Sequence, residues 1–256
     1  MLKNLFSRRQ RTNAAPRASL PEGERVYAVG DIHGRLDLLD QLIAAIEQDD
    51  ASRVPSNTTI IFLGDLIDRG PQSAQVIDRL LLFQRERADG TTRLLLGNHE
   101  EVFLTVAAGD EKALRFFTKI GGRETILSYG ITEERYNLLD YPALLTEFQQ
   151  RVPAEHVTFV SGFEDLIVLG DYAFVHAGIR PSEPLSRQNT KDLRWIREGF
   201  LDAAGPFEKV VVHGHTIVAE VEELPNRIAL DTGAYRSGKL TAMGFEQGQR
   251  WILSAS

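Results

Sequence analysis

The sequence predicts an α/β protein built on two β-sheets, and three observations carry that expectation. Short apolar runs rich in Val, Ile and Leu begin at residue 26, and the first three are separated by segments of helical periodicity. A mostly helical stretch then runs from about residue 100 to 158, with breaks at "AAGD", "IGG" and "DYP". Further strand-like runs follow, linked by turns and short loops, which is the pattern of a second, partly antiparallel sheet.

Residues 1–23 are basic and rich in Ala, Pro and Ser, without an apolar stretch long enough for a signal peptide or a membrane span. They are expected to be a disordered tail on a cytoplasmic protein with no stable membrane insertion, leaving residues 24–256 as one domain. "VYAVG" reads as the first strand, followed by "LDLLDQLIAAI", in which Leu39, Leu42, Ile43 and Ile46 share one helical face. "TIIFLG" and "AQVIDRLLLF" repeat the pattern through Val76, Ile77, Leu80 and Leu81, and "RLLLG" makes a third strand. The crossovers of such a βαβαβ unit make its strands parallel and bring their C-terminal ends to one edge. The stretch 100–158 is expected as a helical insertion over one sheet edge, and "DYAFVHAG", "KVVVHGH", "RIALDTG" and "LTAMGF" as strands of the second sheet.

Composition narrows the chemistry. The 256 residues contain no cysteine, so disulfides, zinc ribbons and thiolate nucleophiles are excluded, and any metal must be held by oxygen and imidazole nitrogen. A net charge of −7 argues against a general nucleic-acid-binding surface. No GxGxxG or GxxxxGK[ST] pattern occurs, so the glycines after the strands read as turn residues.

The polar residues collect just past the apolar runs: Asp31 and His33, Asp65 and Asp68, Asn98 and His99, then His176, and finally His213 and His215. A lone histidine at such a place is ordinarily a hydrogen-bonded core residue. Here five of the six histidines stand at strand ends together with carboxylates and an amide. That mixed oxygen and nitrogen set suits manganese, iron or zinc rather than calcium. A carboxylate shared between two divalent ions holds them roughly 3.5–4 Å apart, the separation used in phosphate-ester hydrolysis. Asp65, on the middle strand, is the natural bridge.

The blocks "GDIHG" at 30–34, "GDLIDRGP" at 64–71, "GNHE" at 97–100, "VHAG" at 175–178 and "HGHT" at 213–216 resemble the signature of the calcineurin-like metallophosphoesterases. "LRWIRE" and "DTGAYRSGKLTA" look like the bacterial and phage members of the phosphoprotein phosphatase branch in particular. The resemblance implies a fold of two mixed β-sheets packed as a sandwich and flanked by helices. It implies two divalent ions, manganese first, with Asp31 and His33 on one, Asn98, His176 and His215 on the other, and Asp65 bridging. Ile217 stands where the wider superfamily often has a further histidine ligand. His99 is implied as general acid paired with Asp68, and Arg69 and Arg197, with Asn98, as phosphate-binding residues. Glu100 and Glu101 are expected to serve the first turn of the following helix. His213, His156 and Asp231 are expected to be structural or supporting, Arg180 either a lining residue of the same mouth or a surface charge, and Tyr235 a neighbour of the site.

The implied reaction is hydrolysis of phosphoserine or phosphothreonine in proteins by a metal-bridging hydroxide. The alternative is hydrolysis of dinucleoside polyphosphates such as diadenosine tetraphosphate, so the partner is a phosphoprotein or a phosphorylated small molecule. A non-catalytic metal-binding scaffold would have no need of His99, Asp68 and Arg69 beside every ligand.

Overall fold

The computed structural model describes residues 18–256. Of the expected tail, residues 1–17 lie outside the described residues, whereas residues 18–23 pack on the domain. Leu20 is buried and donates its N–H to Gln247 O at 3.0 Å, while Ser19 O accepts from Asp171 N at 3.0 Å. No helix among the described residues is long and apolar enough to cross a membrane.

The chain opens with the expected βαβαβ unit: β1 (Glu24–Val29), α1 (Leu36–Ala51), β2 (Asn57–Phe62), α2 (Ser73–Glu86) and β3 (Thr92–Leu94), with β1, β2 and β3 parallel. The helical segment follows as α3 (Asn98–Ala107), α4 (Glu111–Ile120), α5 (Gly122–Ser128), α6 (Glu133–Leu138), α7 (Tyr141–Arg151) and α8 (Ala154–Ser161). Its breaks fall where polar caps stop and restart the helix: the side chains of Asp110, Thr132 and Asp140 accept from the N–H groups of Ala113, Arg135 and Ala143. The second half supplies β4 (Leu166–Leu169), β5 (Tyr172–Val175), α9 (Thr190–Trp195), β6 (Val210–His213), β7 (Glu222–Glu223), β8 (Arg227–Ala229), α10 (Ala234–Ser237), β9 (Leu240–Glu246) and β10 (Gln249–Ala255).

Two mixed five-stranded sheets result, ordered β10-β9-β1-β2-β3 and β4-β5-β6-β8-β7. The expected assignment of "LTAMGF" to the second sheet is corrected here: β9 pairs antiparallel with β1, and the hairpin to β10 extends the first sheet. An apolar alternation fixes that a segment is a strand but leaves its sheet open. The chain crosses from one sheet to the other just after Asp231.

Alternation along the strands builds two cores. Tyr27 and Val29 of β1 face the helices, while Val26 and Ala28 face the other sheet. The inter-sheet core joins Ile61, Leu63, Leu95 and Phe245 to Phe174, Val212 and Ile228. Over the first sheet, the helical segment closes around Phe103, whose ring centroid lies 6.1–6.5 Å from those of Phe117, Tyr129 and Phe148. Phe103→Ala is expected to destabilise the protein by about 3–5 kcal/mol through the cavity it leaves. Urea unfolding checks this, and a loss below about 1 kcal/mol would show that the cluster does not hold the helices to the sheet.

Candidate metal centre

The parallel strands of both sheets end at the same edge, and each delivers its polar residues there. Asp31 and His33 follow β1, Asp65, Asp68 and Arg69 follow β2, and Asn98 and His99 open α3 just beyond β3. His176 follows β5, His215 follows β6, and Asp231 follows β8. The turns are tight. His33, Asp65, Asp68, Arg69 and His215 all have φ between 48° and 71°, a region that costs a residue with a Cβ on the order of 1–3 kcal/mol. Only one other non-glycine residue described has such a φ, Gln247, so backbone strain is concentrated at this site.

Interlocking hydrogen bonds hold the strained loops. Asp65 O accepts from Ile32 N at 3.1 Å and His33 N at 2.9 Å. Glu100, fully buried, accepts from Asp65 N at 2.9 Å, Leu66 N at 2.8 Å, Ile67 N at 3.3 Å and Gly97 N at 3.0 Å. Glu100 serves the first turn of α3 as expected, capping it through the Gly97 N–H, and in addition it braces the β2 loop against α3. Glu101 also reaches away from its helix, to Arg194 and Trp195. Gly97 and Gly214 are required by close approach, since a Cβ would strike the Asp65 carboxylate at one and the Asp31 carboxylate at the other.

The two oxygens of Asp65 face two groups of imidazoles. Oδ2 lies 3.6 Å from His33 Nε2 and 3.8 Å from His99 Nε2, and Oδ1 lies 3.3 Å from His176 Nε2. Asn98 Oδ1 is 3.1 Å from the same His176 nitrogen. Ligand atoms of His33, Asp65 and His99 lie within 4.8 Å of one another, as do those of Asp65, His176 and His215. His33 Nδ1 bonds to Ile67 O at 2.7 Å and His176 Nδ1 to Leu63 O at 2.8 Å; those N–H donors leave each Nε2 lone pair facing the centre. The Asp31 carboxylate accepts from His215 N, its Oδ2 at 3.0 Å, so the first loop is tied to the β6 loop.

Electrostatics match this arrangement. Burial pushes His33 down to about 3 and lowers His215 as well, keeping both imidazoles neutral with free lone pairs. Burial, then the nearby Asp231 and Asp65 charges, raise the Asp31 carboxyl well above its usual range. Burial alone would do the same to Asp65, but His176 and His99 hold it well below.

His99 and Asp68 form the expected pair, Nδ1 to Oδ2 at 2.6 Å. Burial pulls the His99 ring down, yet the Asp65 charge and the Asp68 bond more than offset it and raise the pKa above the ordinary value. Thr125 of α5, which sequence reasoning missed, donates to Asp68 Oδ1 at 2.5 Å; its link spans 57 residues and leaves no local signal. Arg69 donates to His33 Nε2 at 2.8 Å and to His99 Nε2 at 3.0 Å. Tyr235 adjoins both, with its ring 5.2 Å from His33 and 4.9 Å from the Arg69 guanidinium carbon. Arg197 donates to His215 O at 3.1 Å. Arg180 instead pairs with Asp192 on the surface. His213 packs on Phe200, and His156 bonds to Tyr129 and Asp78 within the helical segment.

This donor set fits divalent cations. Asp31, Asp65, Asp68, Glu100 and Asp231 are all buried, and so much negative charge in a dry site calls for positive partners. His215 is 6% exposed, yet neither of its ring nitrogens has a hydrogen-bond partner among the described residues, which is what an imidazole ligand presents. Asp65→Ala is expected to strip bound metal from both groups, whereas His99→Ala should retain it. Metal content of the dialysed proteins decides, and a His99→Ala protein as empty as Asp65→Ala would make His99 a ligand.

A family model described as calcineurin-like phosphoesterase matches residues 24–240. The chain is 27% identical over 240 residues to the asymmetrical bis(5'-nucleosyl)-tetraphosphatase PrpE of Anoxybacillus flavithermus, covering 86% of this chain and 89% of that one. It is 30% identical over 186 residues to a symmetrical bis(5'-nucleosyl)-tetraphosphatase of Acidovorax ebreus, covering 73% of this chain and 51% of that one. Among solved structures, a candidate diadenosine tetraphosphatase matches with a TM-score of 0.62 at 23% identity, covering 93% of this chain and 99% of that one. A serine/threonine phosphatase from Saccharomyces cerevisiae matches with a TM-score of 0.51 at 14% identity, covering 94% and 84%. Those two structural likenesses show a shared fold.

Proposed function

The chain belongs to the calcineurin-like phosphoesterase family, and from that premise we propose that this metallophosphoesterase hydrolyses dinucleoside polyphosphates of the diadenosine tetraphosphate type. The observation that carries the substrate class is that the curated relatives, matched along 86% of the chain in one case, are named as bis(5'-nucleosyl)-tetraphosphatases. The sequence puts phosphoserine and phosphothreonine first and the dinucleotide second; the relatives favour the second.

In this reading Asp31, His33 and Asp65 hold one divalent cation, and Asp65, Asn98, His176 and His215 hold the other. When bound, such cations make hydroxide available near neutral pH and offset charge on the phosphate oxygens. The protein's own residues do the rest. Arg69 and Arg197 stand at the site to clamp phosphate oxygens. A phosphate is a stronger acceptor for Arg69 than the two imidazoles it bonds now, so substrate draws the guanidinium off His99 Nε2. Asp68 keeps the His99 Nδ1 proton in place, and the freed Nε2 can then take up a proton from water and pass it to the leaving oxygen. Thr125 fixes Asp68, and Tyr235 bounds the motion of Arg69 from the side.

Two outcomes follow. Specificity constants for diadenosine tetraphosphate and for a phosphoserine peptide, measured side by side with a chelator control, should favour the dinucleotide; a clear preference for the peptide would return the protein to the phosphatase reading. His99→Ala should lower turnover of an alkyl phosphomonoester by about 10²–10⁴-fold. The loss should be smaller on the dinucleotide, whose leaving phosphate oxygen needs less help from an acid. Equal losses on both substrates would contradict His99 as proton donor.

A further inference from the structure

Beside the phosphate-binding residues the surface carries an aromatic pair that none of the chemistry above uses. Phe116 on α4 is 43% exposed, and its ring centroid lies 6.1 Å from that of Trp195 at the end of α9, with 37° between the planes. Both ends of the pair connect to the centre. One turn beyond Phe116, Ile120 O accepts from Arg69 Nε at 3.4 Å and Gly121 O accepts from Arg69 N at 2.9 Å. Two residues beyond Trp195, Arg197 reaches His215 O. The indole is held in place because its Nε1 donates to Glu101 Oε2 at 2.5 Å, and Glu101 lies two residues from His99. The pair is therefore joined on one side to the residues that anchor Arg69 and on the other to the segment that carries Arg197. Lys119, three residues beyond Phe116 on the same face of α4, is exposed.

We propose that Phe116, backed by Trp195, is the seat for a nucleobase of the substrate, a specificity element resting on the dinucleotide reading above. A flat, open aromatic face next to a polyanion centre suits a ligand that joins a base to a phosphate chain. Stacking is available to any base, because each has a π-face.

The test has two arms. In the first, kcat/KM for diadenosine tetraphosphate is compared with that for p-nitrophenyl phosphate in wild type, Phe116→Ala, Phe116→Leu and Phe116→Tyr. Both Ala and Leu should lose about tenfold on the dinucleotide, mainly through KM, and little on the small ester, while Tyr keeps the wild-type value. A Leu variant equal to wild type, or equal losses on both substrates, overturns the seat. The second arm does not require turnover. Trp195 and Trp251 are the two tryptophans, so Trp251→Phe leaves Trp195 as the only indole reporter. In magnesium, adenosine 5'-(α,β-methylene)diphosphate should change its emission at a concentration at least about tenfold below methylenediphosphonate, and Phe116→Ala should remove that difference. If wild type hydrolyses the small ester but not the dinucleotide, the functional reading fails while this arm still judges the seat. Equal responses to the two ligands overturn it.

Discussion

Asp65 is the charge around which the molecule is organised. A carboxylate 2% exposed at the end of a central strand must be answered by positive or hydrogen-bonding partners or be neutralised. β2 lies between β1 and β3, so the loops after all three strands converge on it, and β5 of the facing sheet brings His176 to its other oxygen. The strained turns at His33, Asp65, Asp68 and Arg69 make sense in this light, because a relaxed loop would carry those side chains away from the carboxylate. Glu100 supplies the restraint. By taking three consecutive N–H groups of the Asp65 loop and one from its own helix cap, it converts helix packing into site geometry.

The protein's overall acidity and the proposed binding of a polyanion are reconciled by where the arginines are committed. Arg35, Arg79 and Arg180 pair with Asp37, Asp40 and Asp192 on the surface, where such pairs contribute little beyond solubility. Among the described residues Arg69 and Arg197 have no carboxylate of this kind; they donate to imidazole nitrogens and a carbonyl, weaker acceptors that a phosphate can displace. Net charge describes the surface, whereas local pairing describes the site.

Much of this was legible in the sequence because it rests on local rules. Strand-end position and residue type were enough to bring Asp31, His33, Asp65, Asn98, His99, His176 and His215 to one edge, and the pairing of His99 with Asp68 appears as expected. What escaped depends on contacts between distant segments. Thr125 is an ordinary helix residue until α5 packs over the β2 loop. Glu100 looks like a helix-dipole acid until the Asp65 loop turns toward it. "LTAMGF" has the alternation of a strand in either sheet, and only the crossover after Asp231 sends it to β1. The residues at 18–23 look like tail by composition, yet Leu20 finds a place in the inter-sheet core.

The proposed metal donors are divided between the sheets: Asp31, His33, Asp65 and Asn98 come from the first, His176 and His215 from the second. Any cation held by Asp65, His176 and His215 together is therefore a rivet through the sandwich, joining halves that the apolar layer and a few hydrogen bonds such as His176 Nδ1 to Leu63 O also hold together. Ligation and the closing of the two sheets are then one event, and the free energy of binding adds to the resistance of the whole fold to opening. Metal supply would then bear on the stability of this fold as well as on its activity.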